Sequence, residues 1–347
     1  MRNLFMWKYK RGLIRIPLIP YNEARGATCT KSVAQRSMYT SDTATKLKGI
    51  NGIRITKTLY LFLVLTTYAH AKPLHIVTTV PYLADLVDNI TCHNSNYVIH
   101  SLIPNGIDPH TYILAPKDRI LIKNAGAIIQ IGAGLEKWLD KIPIEKGQKR
   151  LILSQHLNLR KMRETSSTNK NELLLDPHIW QSPKLTEDAV LQLSQFLISQ
   201  DQNNKNQIEA CTQKYVENIH ATVEELKKQI DTIPKENRLL ATNHDSLGYF
   251  AIYFNLKIYT ILGLSDEEQP SPKQLQNLIL ALQQHHIKSI FLEATGNPKS
   301  IQTVASNAHI KINGILYGDS FGQKGSNADT TIKLWKSNTE TLVRALR

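Results

Sequence analysis

The sequence predicts an α/β protein: two βα lobes with parallel sheets, joined by one long backbone helix, with a site in the cleft between the lobes. Three observations predict it. Short strand-like runs alternate with helical patterns through residues 74–154, and the alternation restarts near residue 238. Between the two series, Ile208, Cys211, Tyr215, Ile219, Val223, Leu226 and Ile230 recur every three or four residues, a single apolar stripe on one helix. Asp-Pro-His occurs twice, at 108–110 and 176–178, followed each time by one residue and then an aromatic, Tyr112 or Trp180.

At 347 residues the chain has room for two ordinary domains. The boundaries read as a basic extension over 1–56, a signal peptide over 57–71, a first lobe over 73–200, the linking helix over 203–233 and a second lobe over 237–347. The net charge of +13 is mostly in the leader: residues 1–57 hold twelve Lys or Arg against two acids. The remainder is nearly neutral, so no nucleic-acid surface is expected. Arg54 and Lys57 precede the apolar run 59–65, and Ala69-His70-Ala71 supplies small residues around a larger one, the pattern of a signal peptide cleaved after Ala71. The run is shorter than the roughly 20 residues a membrane span needs. No Cys closes it, so the expectation is a free periplasmic protein. The first fifty residues read as an uncharacterised extension or an overcalled start, with Met38 as one later candidate. Cys92 and Cys211 are open to two readings, a disulfide or two quiet buried thiols, because spacing cannot show whether their Cα atoms approach.

In the first lobe, strand 75–80 leads to a helix over 81–90 with Pro81 at its start, where the missing N–H costs nothing. Strand 97–103 runs into the first Asp-Pro-His loop. Helix 117–124, strand 127–131, helix 135–141 and strand 150–154 follow, then a polar, irregular stretch over 155–175 and an amphipathic helix over 183–200. The linking helix would span roughly 35 Å at 1.5 Å per residue. In the second lobe, strands 238–242, 257–261, 289–293 and 311–317 alternate with helices 246–254, 273–285, 299–308 and 331–346. Neither lobe opens on a glycine-rich phosphate fingerprint, and there is no G-x-S-x-G elbow.

Proline fixes its own φ and biases the preceding residue towards extended backbone, so each Asp-Pro-His presents its His on a stiff loop. Asp108 and Asp176 could each take one ring N–H and leave the other nitrogen for a metal. His244 follows a strand, and Asp319 follows another in 316–320. A single His is more often a surface or core residue, and Asp-Pro pairs often start turns. The repeated motif and the shared position at strand ends, where open α/β sheets gather ligands, outweigh that reading. His110, His178, His244 and Asp319 together offer three imidazoles and a carboxylate, a set suited to a divalent transition metal.

The stretches LIPNGIDPHTY (102–112), GLEKWL (134–139), DPHIW (176–180), TNHDSLGYF (242–250), PSPKQL (270–275), FLEA (291–294) and LYGDSFG (316–322) resemble the metal-binding solute-binding proteins of zinc/manganese ABC importers, the cluster A-I family. The resemblance covers essentially all of 73–347. It implies two lobes on one backbone helix and metal ligands at His110, His178, His244 and Asp319. It also implies an ABC permease as partner, a monomer, and no enzymatic activity. Ile113 stands where the family commonly has Glu, and the segment 264–270 is one residue longer than the family pattern. The third ligand varies in the family between His and Glu. The nitrogen-rich set here leans to zinc, with manganese as the alternative. The 156–175 stretch is not the His- and acid-rich loop of many zinc-specialised members. The expected function is capture of zinc or manganese in the periplasm and delivery to the permease. Two readings compete with it. One is a metal-dependent hydrolase using three His and a metal-bound water, with Asp245 or Glu293 as base. The other is a metal-stabilised adhesin.

Overall fold

The computed structural model describes residues 72–163, 173–262 and 270–347. The expected extension and signal peptide lie outside the described residues, as do most of 264–270 and part of 155–175. The first sheet contains β1 (Leu74–Thr78), β2 (Tyr97–Ser101), β3 (Ala127–Gln130) and β4 (Lys149–Ile152), all parallel in the order β2-β1-β3-β4. The second contains β7 (Leu239–Thr242), β8 (Lys257–Thr260), β9 (Ile290–Glu293) and β10 (Ile312–Leu316), parallel in the order β10-β9-β7-β8. Parallel strands need crossovers, and helices supply all but the one between β3 and β4: α1 (Pro81–Ile90) and α2 (Pro116–Asn124) in the first lobe, and α5 (Gly248–Tyr253), α6 (Pro272–Gln284) and α7 (Pro298–Ala308) in the second. Helix α3 (Pro183–Gln200) follows the first sheet, and α8 (Thr331–Leu346) closes the chain. Helices α1, α2, α3, α6 and α7 each begin on proline. Proline at the first position forfeits only an N–H that has no intrahelical partner.

The linking helix is α4 (Lys205–Ile230), 26 residues long, about 39 Å at 1.5 Å per residue. All seven residues of its predicted stripe are buried. A helix in water has little stability of its own, so this face decides its position. Burying each aliphatic side chain contributes about 1.5–3 kcal/mol, and Ile208, Ile219, Val223, Leu226 and Ile230 are all at most 4% exposed. They join one apolar core with Ile76 and Ile129 of the first sheet and Leu240, Phe291 and Leu316 of the second. The outer faces have cores of their own. Val77 and Ile128 pack with Ile122 of α2, and Ala241 and Ile290 pack with Leu278, Leu282 and Ile301 of α6 and α7. No described helix is long and apolar enough to cross a membrane.

Three features differ from the sequence reading or settle it. Residues 135–141 form a series of turns, not a helix. The Glu136 carboxylate accepts from the backbone N–H groups of Ile131 and Gly132 and from Thr79 Oγ1, at 2.9, 2.8 and 2.7 Å. That capture, with Gly132, Ala133 and Gly134 all at positive φ, holds the segment as turns. The polar 155–175 stretch contains a short antiparallel pair, β5 (Lys161–Arg163) and β6 (Leu173–Leu175). Cys92 and Cys211 are disulfide-bonded, their Cα atoms 5.8 Å apart, which links the end of α1 to α4.

Candidate metal site

The four residues singled out from sequence come together. One donor atom from each of His110, His178, His244 and Asp319 lies within 4.8 Å of all the others. His110 is in the loop after β2, His178 in the turn before α3, His244 two residues beyond β7 and Asp319 three beyond β10. Three of them thus come off the carboxyl ends of parallel strands. His110 Nε2 and His178 Nε2 are 3.1 Å apart, and Asp319 Oδ1 is 3.2 Å from both His178 Nε2 and His244 Nε2. His110 Nε2 to Asp319 Oδ1 is 4.0 Å. A tetrahedral ion with bonds of about 2.05 Å has ligands about 3.3 Å apart, and three of these four separations are close to that. Full burial of His178 and His244, with Asp319 only 7% exposed, excludes most water from them.

Neighbouring groups hold each of these four candidate ligands in place. Asp108 Oδ1 accepts the backbone N–H of His110 at 2.8 Å, and Asp176 Oδ1 accepts that of His178 at 3.0 Å, the same Asx-type turn in both copies of the motif. Asp176 also takes the ring Nδ1–H of His178 at 2.6 Å, as expected from sequence, which points Nε2 inward. Behind His244, Glu293 Oε2 is 3.1 Å from Nδ1, and Glu293 Oε1 accepts the His244 backbone N–H at 3.0 Å. A Cβ at Gly318 would collide with Glu293 and with Ser246 Oγ, so the bare glycine lets the Asp319 loop close onto this carboxylate. Trp180 Nε1 and Gln181 Nε2 both donate to Gly318 O, at 2.6 and 2.7 Å, fixing the His178 turn against the Asp319 loop. At the rim, Gly106 N–H donates to Ser320 Oγ and Asn105 Nδ2 to Gly322 O, each at 2.9 Å.

The electrostatics divide the three imidazoles. Burial would lower His178, but Asp176 and Asp319 override it and raise the ring to about 9. Burial also opposes charge on His244, and Asp319 and Glu293 raise it well above the usual histidine value. Asp319 is held well below the usual carboxylate range against its own burial, by His244 and His178. Burial lowers His110 to about 3, with Asp319 opposing and the two other rings reinforcing the shift. Both raised rings hold a proton more tightly than an ordinary imidazole, so a divalent cation binding there would compete with protons.

One residue of this assembly gave no sequence signal. Arg160 Nε donates to Asp176 Oδ2 at 2.5 Å and Nη2 to Asp245 Oδ2 at 2.8 Å. It stands in no motif, and only tertiary structure brings its two carboxylates together. Glu293, a candidate base in the hydrolase reading, stands behind His244.

Known proteins are similar to this one along most of the chain. A manganese ABC transporter substrate-binding lipoprotein of Streptococcus gordonii is 26% identical over 290 residues, 81% of this chain and 91% of that protein. A manganese-binding lipoprotein of Bacillus subtilis is 26% identical over 288 residues, 80% of this chain and 90% of that protein. The solved structure of the periplasmic zinc binding protein TroA from Treponema pallidum superposes with a TM-score of 0.71 at 23% identity, over 79% of this chain and 99% of that one. A Mn-bound periplasmic metal binding protein from Candidatus Liberibacter asiaticus gives 0.69 at 25%, with the same coverage. The family described as zinc-uptake complex component A, periplasmic, matches residues 76–345, and the chain belongs to it.

Proposed function

We propose that the protein captures a divalent transition metal in the periplasm through His110, His178, His244 and Asp319 and delivers it to the permease of an ABC importer. The observation that carries this reading is the convergence of those four donors from separate loops into one buried cluster. Four protein ligands saturate a tetrahedral ion, whereas a catalytic zinc keeps a position open for water. The hydrolase reading also lacks a base: Asp245 is engaged by Arg160, and Glu293 faces the far side of His244. The family is one of solute-binding components of metal importers, not of enzymes. Zinc is the proposed cargo, because three imidazoles and one carboxylate form a set of intermediate softness. Manganese is the second reading, since several relatives are named for it.

We take 73–200 and 237–347 as the lobes, 203–233 as the link, and Ala71 as the last residue of a cleaved signal peptide. Elemental analysis and intact mass of the protein isolated from its own periplasm test cargo and cleavage together, with one bound zinc and an N-terminus near Lys72 expected. Calorimetry on the stripped protein tests capture itself. A dissociation constant weaker than about 1 μM for both ions, about −8 kcal/mol, would remove the reading.

A further inference from the structure

We propose that Arg160 is a positioning residue for the metal site: it bridges the carboxylate that orients His178 to the carboxylate that follows His244, and so sets how fast the cargo leaves. This rests on the metal-capture reading above. Arg160 immediately precedes β5 in the first lobe, and the two acids it joins belong to different lobes. Asp176 is fully buried and uses its other oxygen on His178 Nδ1, so one unbroken series of contacts runs from Asp245 through Arg160 and Asp176 to a metal-facing nitrogen.

The guanidinium is itself fixed. It stacks 5.2 Å from the centre of the Tyr249 ring. The Tyr249 hydroxyl accepts the Arg160 backbone N–H at 3.0 Å and donates to Asp176 O at 3.1 Å. A Cβ at Gly248 would collide with the guanidinium, so the second lobe leaves a bare backbone where the cation lies. Planar geometry lets one guanidinium serve two carboxylates at once, which an ammonium on a flexible stem does poorly. With the bridge in place, opening the lobes to release metal separates Arg160 from Asp245 and from Tyr249. Without it, the His178 and His244 loops are free to move apart independently.

The test is the rate at which the full chain, loaded with zinc alone or manganese alone, loses its ion to excess chromophoric chelator. The variants are Arg160→Ala, Arg160→Lys, Asp245→Asn and the Arg160→Ala/Asp245→Asn double. Arg160→Ala and Asp245→Asn are each expected to speed release by about 10–100-fold, the range for loss of a group that supports a metal ligand. The double should be no faster than Arg160→Ala, because both changes break one bridge, and Arg160→Lys should restore only part of the retention. Unchanged release in folded Arg160→Ala, or effects that multiply in the double, would overturn the proposal. If Arg160→Ala does not fold, Asp245→Asn decides: release at the wild-type rate overturns it. A wild-type chain that retains neither ion defeats the metal-capture reading itself, an outcome distinct from any difference between variants.

Discussion

The two Asp-Pro-His copies share a backbone and differ in their chemistry. In both, the Asp carboxylate caps the N–H of the His two residues later. At 176–178, however, the Asp also takes the ring N–H and is itself gripped by Arg160, and the imidazole is fully buried and raised to about 9. At 108–110 the His sits on a partly exposed loop beside two other rings and is lowered to about 3. The motif determines how each ring is presented. The neighbours brought in by tertiary structure determine whether it carries a proton.

The largest test of that contrast removes the rings one at a time. His178→Ala and His110→Ala should each weaken zinc binding by at least about a hundredfold, beyond the loss expected for a supporting group. Calorimetry on the stripped proteins measures this, and affinity within a few-fold of wild type would take that residue out of the site. A sharper test is the dependence on pH. A ring raised above its ordinary value holds its proton until pH passes that raised value, so metal binding must displace the proton below it. Affinity should therefore climb between pH 6 and 8, by up to about tenfold per unit for each proton displaced. His178 and His244 contribute to this slope. His110, neutral throughout the window, does not. Removing His178 should flatten the slope by about one proton, while removing His110 lowers affinity and leaves the slope; equal losses from both would erase the contrast. The smallest effect concerns a supporting acid. Asp176→Asn should cost about tenfold in affinity, because the carboxylate holds both the His178 ring and Arg160, and Asp176→Ala, which also loses the His178 backbone N–H contact, somewhat more. Competition with a chelator of known affinity resolves the two.

Features set by local pattern were legible in the sequence. The α4 stripe could be read residue by residue because one buried face repeats with the helix period. The four candidate ligands could be read because stiff loops and strand ends have their own signatures. Features set by distant partners were not. The 135–141 segment has helical spacing, and the reach of Glu136 to Thr79 and to the 131–132 backbone, with positive φ at 132–134, holds it as turns. The paths of α1 and α4, which bring Cys92 to Cys211, are equally silent. So is the meeting of Arg160 with Asp176 and Asp245.

The spacing of the proposed donors along the chain has a consequence for synthesis. His110 and His178 are 68 residues apart, and His244 and Asp319 are 75 apart. No short segment therefore contains two of the proposed donors, and a growing polypeptide adds them one at a time. Asp319, close to the carboxyl terminus, is made last. A chain threaded unfolded across the inner membrane would leave the cytosol without a completed trap for the cell's own zinc or manganese. On the proposed reading it would acquire affinity only once Asp319 had emerged and the chain had folded, which would keep an import component from acting as an unintended exporter.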